Sequence, residues 1–238
     1  MRKIISFCIW GDKPIYNFGL YENALLLPKI FPNWIMQIYY TKTCNQDVIK
    51  ELNKIKNVEC ILQDYEDHYR NSMLRFLAGF DPKNDVVIFR DSDSLLLERD
   101  YLACEEWVNS DKDIHIVRDH PKHDAPLLAG LWGVKNSFLV KNNIKEKYDL
   151  FFNDLKNKKW GIDQEFLEKY IHPLINNKNS MIHIETLKKE KWAIKFPKGA
   201  KRTDDFFVGF VNKNIKNSAE KFNYNKEFVT KTRTENKL

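Results

Sequence analysis

Asp91 and Asp93, two residues apart, are the side chains in this chain best suited to chemistry. In extended backbone an i, i+2 pair points to the same side, so both carboxylates can face one ligand. Such hard oxygen donors suit a divalent cation, Mg²⁺ or Mn²⁺, which is satisfied by one or two carboxylates and takes substrate phosphates as further ligands. The competing reading is that Asp91-Ser92-Asp93-Ser94 is turn chemistry ending a strand, since Asp and Ser hydrogen-bond their own backbone. The preceding residues favour the ligand. Val86-Val87-Ile88-Phe89 is an apolar, β-branched run of the kind buried on both faces of a parallel sheet, and ligands of open α/β sheets sit outside the carboxyl ends of such strands.

Other residue types extend the set. Arg75, between Leu74 and Phe76 on a short helix, needs a carboxylate or a phosphate as partner. Asp163 follows Gly161 at a helix start, as an N-cap or as a reacting-centre carboxylate. Lys198, Lys201 and Arg202 surround Gly199 in a basic turn that permits close backbone approach. Trp10, Gly11 and Tyr16 put aromatic surface and a close-approach point at the exit of the first strand.

These residues need elements to hold them. Strands are expected over 4–10, 34–40, 58–62, 86–89 and 114–118, with a short one over 181–184 and extended chain over 127–134. Helices are expected over 18–27 (Pro28 ending or kinking it), 46–55, 71–79, 99–110, 144–155 and 163–171. Strands alternating with helices at this interval imply right-handed crossovers and a mostly parallel sheet. The expected organisation is one α/β domain over 1–211: a Rossmann-like nucleotide-binding half, 1–95, and a mixed acceptor-side half, 96–211. Phe206 to Val211 is the last apolar run, and the Lys/Asn-rich tail, 212–238, reads as loosely packed or disordered.

Composition narrows the classes. The 238 residues, 43% hydrophobic, suffice for one large domain core. The net charge of +6 comes from Lys spread along the chain, and basic and aromatic residues are not interleaved on one element, which argues against a nucleic-acid partner. Cys8, Cys44, Cys60 and Cys104 lack C-x-x-C spacing and read as buried thiols of a reducing compartment, so the cytoplasm is the expected location. The apolar start, Ile4 to Trp10, reads as a core strand before a Gly11-Asp12-Lys13-Pro14 turn, and no transmembrane run is expected.

With this order of elements, the chain resembles the GT-A-fold glycosyltransferases. The resemblance rests on Ser6 to Gly11, Arg90-Asp91-Ser92-Asp93-Ser94, Leu131-Trp132-Gly133, Gly161-Ile162-Asp163-Gln164, and a late His183 followed by a Lys/Arg-rich loop. It implies a metal-dependent transfer of a sugar from a nucleotide-sugar donor, UDP-sugar foremost, to an acceptor hydroxyl. By resemblance Asp93 binds Mn²⁺ or Mg²⁺, Asp91 reaches the metal or the donor's hydroxyls, and His183 completes the site, with His120 and His123 as rivals. Trp10, Gly11, Tyr16, Arg75, Arg90, Ser92, Lys198 and Arg202 would bind the nucleotide-sugar. Asp163 would be the catalytic carboxylate, either general base or stabiliser of the sugar's developing positive charge, with His120, Trp132 and Gln164 toward the acceptor. The alternatives are a non-catalytic nucleotide- or carbohydrate-binding protein of this fold and a haloacid-dehalogenase-like phosphatase. The phosphatase is disfavoured by three strands preceding the motif and by Asp204-Asp205 lacking an apolar strand before it.

Overall fold

Alternate residues of the first strand, β1 (Lys3–Ile9), serve two different cores. Ile4 and Cys8 face Met73, Leu74 and Phe76, while Ile5, Phe7 and Ile9 face Leu20, Ala24 and Leu27. The two-residue repeat of a strand therefore divides the molecule into a sheet with a helical layer on each face. The computed structural model describes residues 1–154, 160–185, 190–203, 206–212 and 222.

One layer holds α1 (Pro14–Ile30), α2 (Gln46–Leu52) and α3 (Glu98–Val108). The other holds a 3-10 helix (Tyr69–Phe80), α5 (Ile144–Asn153) and α6 (Ile162–Phe166), which widens into a π turn over Leu167–Ile171. Between them lie β2 (Ile35–Tyr40), β3 (Val58–Leu62), β4 (Val86–Phe89), β5 (Ile114–Arg118), β6 (Trp132–Lys135) and β7 (Ser180–Ile184). The seven strands form one sheet in the order β3-β2-β1-β4-β6-β5-β7. All neighbouring pairs are parallel except the two made by β6. This is the expected mostly parallel α/β sheet.

Several boundaries differ from the sequence reading. α1 begins four residues earlier, at Pro14, and runs through Pro28 to Ile30. Pro28 gives up its own N–H bond to the carbonyl four residues back, and the helix ends two residues after it. Extended chain before β6 is confined to Trp132–Lys135, because Leu127 to Leu131 is tied down as a loop. A short helix, α4 (Asn136–Lys141), follows with no capping signal. Phe206 to Val211 forms no strand beyond a bridge between Val211 and Ser94. Asp204, Asp205 and most of the 212–238 tail lie outside the described residues. All four cysteines are free, and burial pushes Cys8 up to about 11 and Cys60 up to about 12, leaving both as inert thiols. Among the described residues no helix is long and apolar enough to cross a membrane.

Candidate active site

The chain turns from β1 to β2 to β3 in one direction and then places β4 on the opposite side of β1. That reversal makes the carboxyl ends of β1 and β4 a topological switch point, the position where open α/β sheets bind ligands. Asp91 and Asp93 stand on the loop leaving β4, and Gly11 stands on the loop leaving β1.

Arg75 occupies the middle of the site. Its Nη1 donates to Asp91 Oδ1, and its Nη2 lies 3.1 Å from Asp163 Oδ2. Its Nε donates to the Ser72 carbonyl at 2.9 Å, while the Arg75 carbonyl accepts from Ser6 Oγ of β1 at 2.7 Å. The guanidinium is 7% exposed and Asp91 48% exposed. Burial opposes the Arg75 charge, but Asp91, Cys8 and Asp163 more than offset it, so the side chain stays protonated. Arg75 is thus a bridge between two acids.

Asp93 has no such partner: among the described residues it forms no ion pair. Burial, and then the Asp91 charge, push its carboxyl up to about 6 against the pull of its own backbone amide and of Arg75. One guanidinium among three carboxylates leaves the cluster negative, and a divalent cation on Asp93 would relieve both the burial and the repulsion. Among the described residues no three His, Cys, Asp or Glu side chains gather to form a metal cluster. A cation here would take its remaining ligands from water or a phosphorylated ligand, which suits Mg²⁺ or Mn²⁺.

The loops around the acids are tied by polar residues of α1 that the sequence reading passed over. Asn23 Nδ2 donates to the Ser94 carbonyl and Asn23 Oδ1 accepts from Leu96 N, both at 2.8 Å. Asn17 Nδ2 donates to the carbonyls of Gly11 and Lys13, and its Oδ1 accepts from Asn45 N. Thr41 and Thr43 donate to Asp67 Oδ1, and Gly11 N donates to Thr43 Oγ1 at 3.0 Å. The loops after β1, β2 and β3 are therefore one hydrogen-bonded unit. Asn17 and Asn23 are buried among the apolar residues of α1, and a polar interruption of an apolar helix is the signal which could have found them.

Tyr16 is half-buried, and burial, then Asp93 and Asp91, hold its phenol protonated beside the acids. Trp10 is half-buried against the core of the 3-10 helix. Ser92 is buried, with its carbonyl against Gly19. Gln164 staples the neighbouring loop, accepting from Ala129 N and donating to the Leu127 carbonyl. This loop carries Gly130, where an added Cβ would lie 2.1 Å from Asp91 Oδ2. Gln164 therefore positions the wall behind Asp91, with its amide committed to that loop.

Several expected site residues are not brought to this cluster. His183 is fully buried on the α3 face, between His115 Nε2 at 2.8 Å and Glu106 Oε2 at 3.0 Å, and β6 and β5 separate its strand from β4. Strand alternation sends it to the face opposite Arg75. Arg90 is likewise turned toward α3 in a buried two-point pair with Asp100, at 2.7 Å for each bond. Trp132 is 2% exposed, its ring 4.6 Å from Phe89, and it serves the core. Arg202 turns to the end of β5, where its Nε donates to the Asp119 carbonyl at 3.2 Å. His120 stacks on Phe207 at 4.3 Å in that same region, with His123 beside it, and Lys198 is exposed.

No family model matches the chain, and no curated protein matches it in sequence. Solved structures do resemble it. One is a glycosyltransferase involved in glycosylation of the major capsid of PBCV-1, at 15% identity and a TM-score of 0.47, over 77% of this chain and 82% of that one. A second is S. aureus TarS 1–349 in complex with UDP, at 14% identity and a TM-score of 0.49, over 72% of this chain and 56% of that one. A third is the mannosyltransferase PcManGT from Pyrobaculum calidifontis in complex with GDP-Man and Mn²⁺, at 9% identity and a TM-score of 0.46. It is matched over 59% of this chain and 46% of its own. The chain spans about half the length of these last two.

Proposed function

We propose that the protein is a GT-A-type glycosyltransferase that uses a divalent cation and a nucleotide-sugar donor, UDP-sugar foremost. The observation carrying this reading is Asp93: a half-buried acid without an ion-pair partner among the described residues, beside Asp91, at the switch point of the sheet. Asp93 holds Mn²⁺ or Mg²⁺, with Asp91 next to it. The bound cation supplies positive charge to the diphosphate that leaves the sugar. Gly11, Tyr16 and Trp10 line the donor side, Tyr16 keeping its proton and so serving as a hydrogen-bond donor.

Asp163 has both oxygens engaged, Oδ2 with Arg75 and Oδ1 with its neighbour's Gln164 N at 3.0 Å. Held in place by these two bonds, Asp163 serves as a fixed carboxylate facing the developing positive charge of the sugar ring. Its acceptor is an unidentified hydroxyl compound.

The test is incubation with UDP- and GDP-sugars, with and without Mn²⁺, following thermal stability and release of nucleoside diphosphate. Mn²⁺-dependent stabilisation by UDP with slow donor hydrolysis is expected, and Asp93→Asn should abolish both. A wild-type protein that gains no stability from any nucleotide with Mn²⁺, or that releases phosphate from simple esters instead, would overturn the reading.

A further inference from the structure

Asp119 follows the last residue of β5 and is fully buried. Its carboxylate accepts from Arg99 Nε and Nη2 at 2.9 and 3.0 Å, and Arg202 Nε lies 3.4 Å away. A buried pair of this kind adds little stability over apolar side chains of the same volume, so what it holds in place is the more telling fact. Asp119 Oδ2 also accepts from a backbone amide, Val208 N, at 2.9 Å.

Val208 opens a tight turn. Phe210 N donates to the Phe207 carbonyl at 3.0 Å and Gly209 has a φ of +86°, the pattern of a type II turn with Val208 and Gly209 at its centre. The turn packs on Leu131, whose side chain an added Cβ at Gly209 would meet at 3.0 Å, and Leu131 follows Gly130, the wall behind Asp91. Beyond the turn Val211 bridges Ser94, and Asn212 N donates to the Asp93 carbonyl at 2.8 Å. The unbroken stretch 208–212 thus runs from the Asp119 carboxylate to the backbone of Asp93, and on the way it lies against the neighbour of the Asp91 wall.

We propose that Asp119 is a positioning residue for the Asp91 and Asp93 pair, acting through the 208–212 segment that its carboxylate anchors at Val208 N. The proposal rests on the reading of Asp93 as a cation ligand. Asp93 makes no ion pair among the described residues and takes its aim from its backbone, which residue 212 holds on one side and Asn23 of α1, through Ser94 and Leu96, on the other. Without the anchor the α1 side stays and the 212 side loosens, so the loop opens more often. An acid that must sit within a fraction of an ångström then binds its cation more weakly.

The full-length wild type is compared with Val208→Pro and Asp119→Asn. Proline is favoured at the first central position of a type II turn, so Val208→Pro keeps the turn and the Arg99–Asp119 pair and removes the N–H that Asp119 accepts from. Hydrogen exchange is read over residues 91–96 and over β1 and β2, and calorimetric titration of Mn²⁺ in the presence of UDP gives both Kd and the number of sites. Loss of one charge-assisted hydrogen bond should raise exchange in 91–96 about tenfold while β1 and β2 keep wild-type protection. Kd for Mn²⁺ should rise by about the same factor with the number of sites unchanged, and Asp119→Asn should do at least as much. If Asp119→Asn does not fold, Val208→Pro decides. Wild-type exchange in 91–96 with a wild-type Kd in Val208→Pro overturns the proposal. So does a loss of sites at wild-type Kd, which is what a role in folding alone would produce. A wild type that binds no Mn²⁺ with UDP sinks the proposed function instead, and the exchange comparison then decides by itself whether Asp119 holds the loop.

Discussion

Arg75 gives Asp91 and Asp93 unequal duties. By committing its two terminal nitrogens to Asp91 and Asp163, it leaves Asp93 as the acid of the three with no cationic partner among the described residues. The wall behind Asp91 is equally specific, since Gly130 has no room for a side chain there: its Cβ would meet both oxygens of that carboxylate. Gly130→Ala should therefore swing Asp91 off Arg75, because a side chain gives way before backbone does, and the buried guanidinium then keeps Asp163 as its acid. We expect a lower melting temperature, since part of a buried charge pairing is lost, and Mn²⁺-dependent UDP affinity lower by about tenfold or more, by calorimetric titration. Wild-type affinity in the folded variant would show that the site does not need this wall. Residue types suitable for this chemistry were legible in the sequence at Asp91, Asp93, Asp163 and Arg75, because acids at a strand's end and an arginine among apolar residues are unusual in themselves. What sequence does not print is direction. Arg90 is adjacent to Asp91 yet turns to Asp100 on the α3 face, and Trp132 slots beside Phe89 in the core.

At the scale of elements, α1 is the keystone of the site, and Gly19 makes the point testable. Alanine is favoured over glycine in a helix interior by about 1 kcal/mol, so Gly19→Ala would stabilise an isolated helix. Here the new Cβ would lie 2.3 Å from the Ser92 carbonyl oxygen, a backbone atom that cannot rotate away. Overpacking of this kind costs about 1–3 kcal/mol and outweighs the propensity gain. Gly19→Ala should lower the melting temperature and weaken Mn²⁺-dependent UDP binding; a stabilised protein would refute the close packing of α1 on the loop. The core strands were legible as short apolar runs, and β3 and β5 fall at their expected residues. α4 was not, being too short for a period to register. Asn17 and Asn23 were legible only as polar interruptions of an apolar helix, and which loops they hold was not, because that depends on where those loops come to lie.

For the whole molecule, sheet order could not be read from the sequence, because β6 runs against its neighbours and only tertiary pairing decides where it inserts. That order buries His115 and His183 against each other and sets His123 beneath the end of β5. Burial lowers all three: His115 is depressed further by His183 and Arg90, His183 is partly restored by Glu106, and His123 is pushed down to about 4 with His120 assisting. An unfolded histidine takes up a proton near pH 6.5, whereas these remain neutral in the fold to lower pH. Between those values the unfolded chain binds more protons, so stability falls as pH drops below about 6.5. Asp93 and Asp119 act in the opposite sense, since burial raises both, and the native state then holds protons that the unfolded carboxylates have released. Three imidazoles outweigh two carboxyls, and the net expectation is a lower melting temperature at pH 5 than at pH 7, by several degrees at about 2–4 °C per kcal/mol. His123→Gln tests the assignment, because glutamine can still accept from the Asp119 amide that His123 Nδ1 serves at 3.1 Å but does not titrate. Its melting temperature should fall less between pH 7 and pH 5 than that of the wild type. An identical slope in the two proteins would place the acid sensitivity elsewhere than in this histidine.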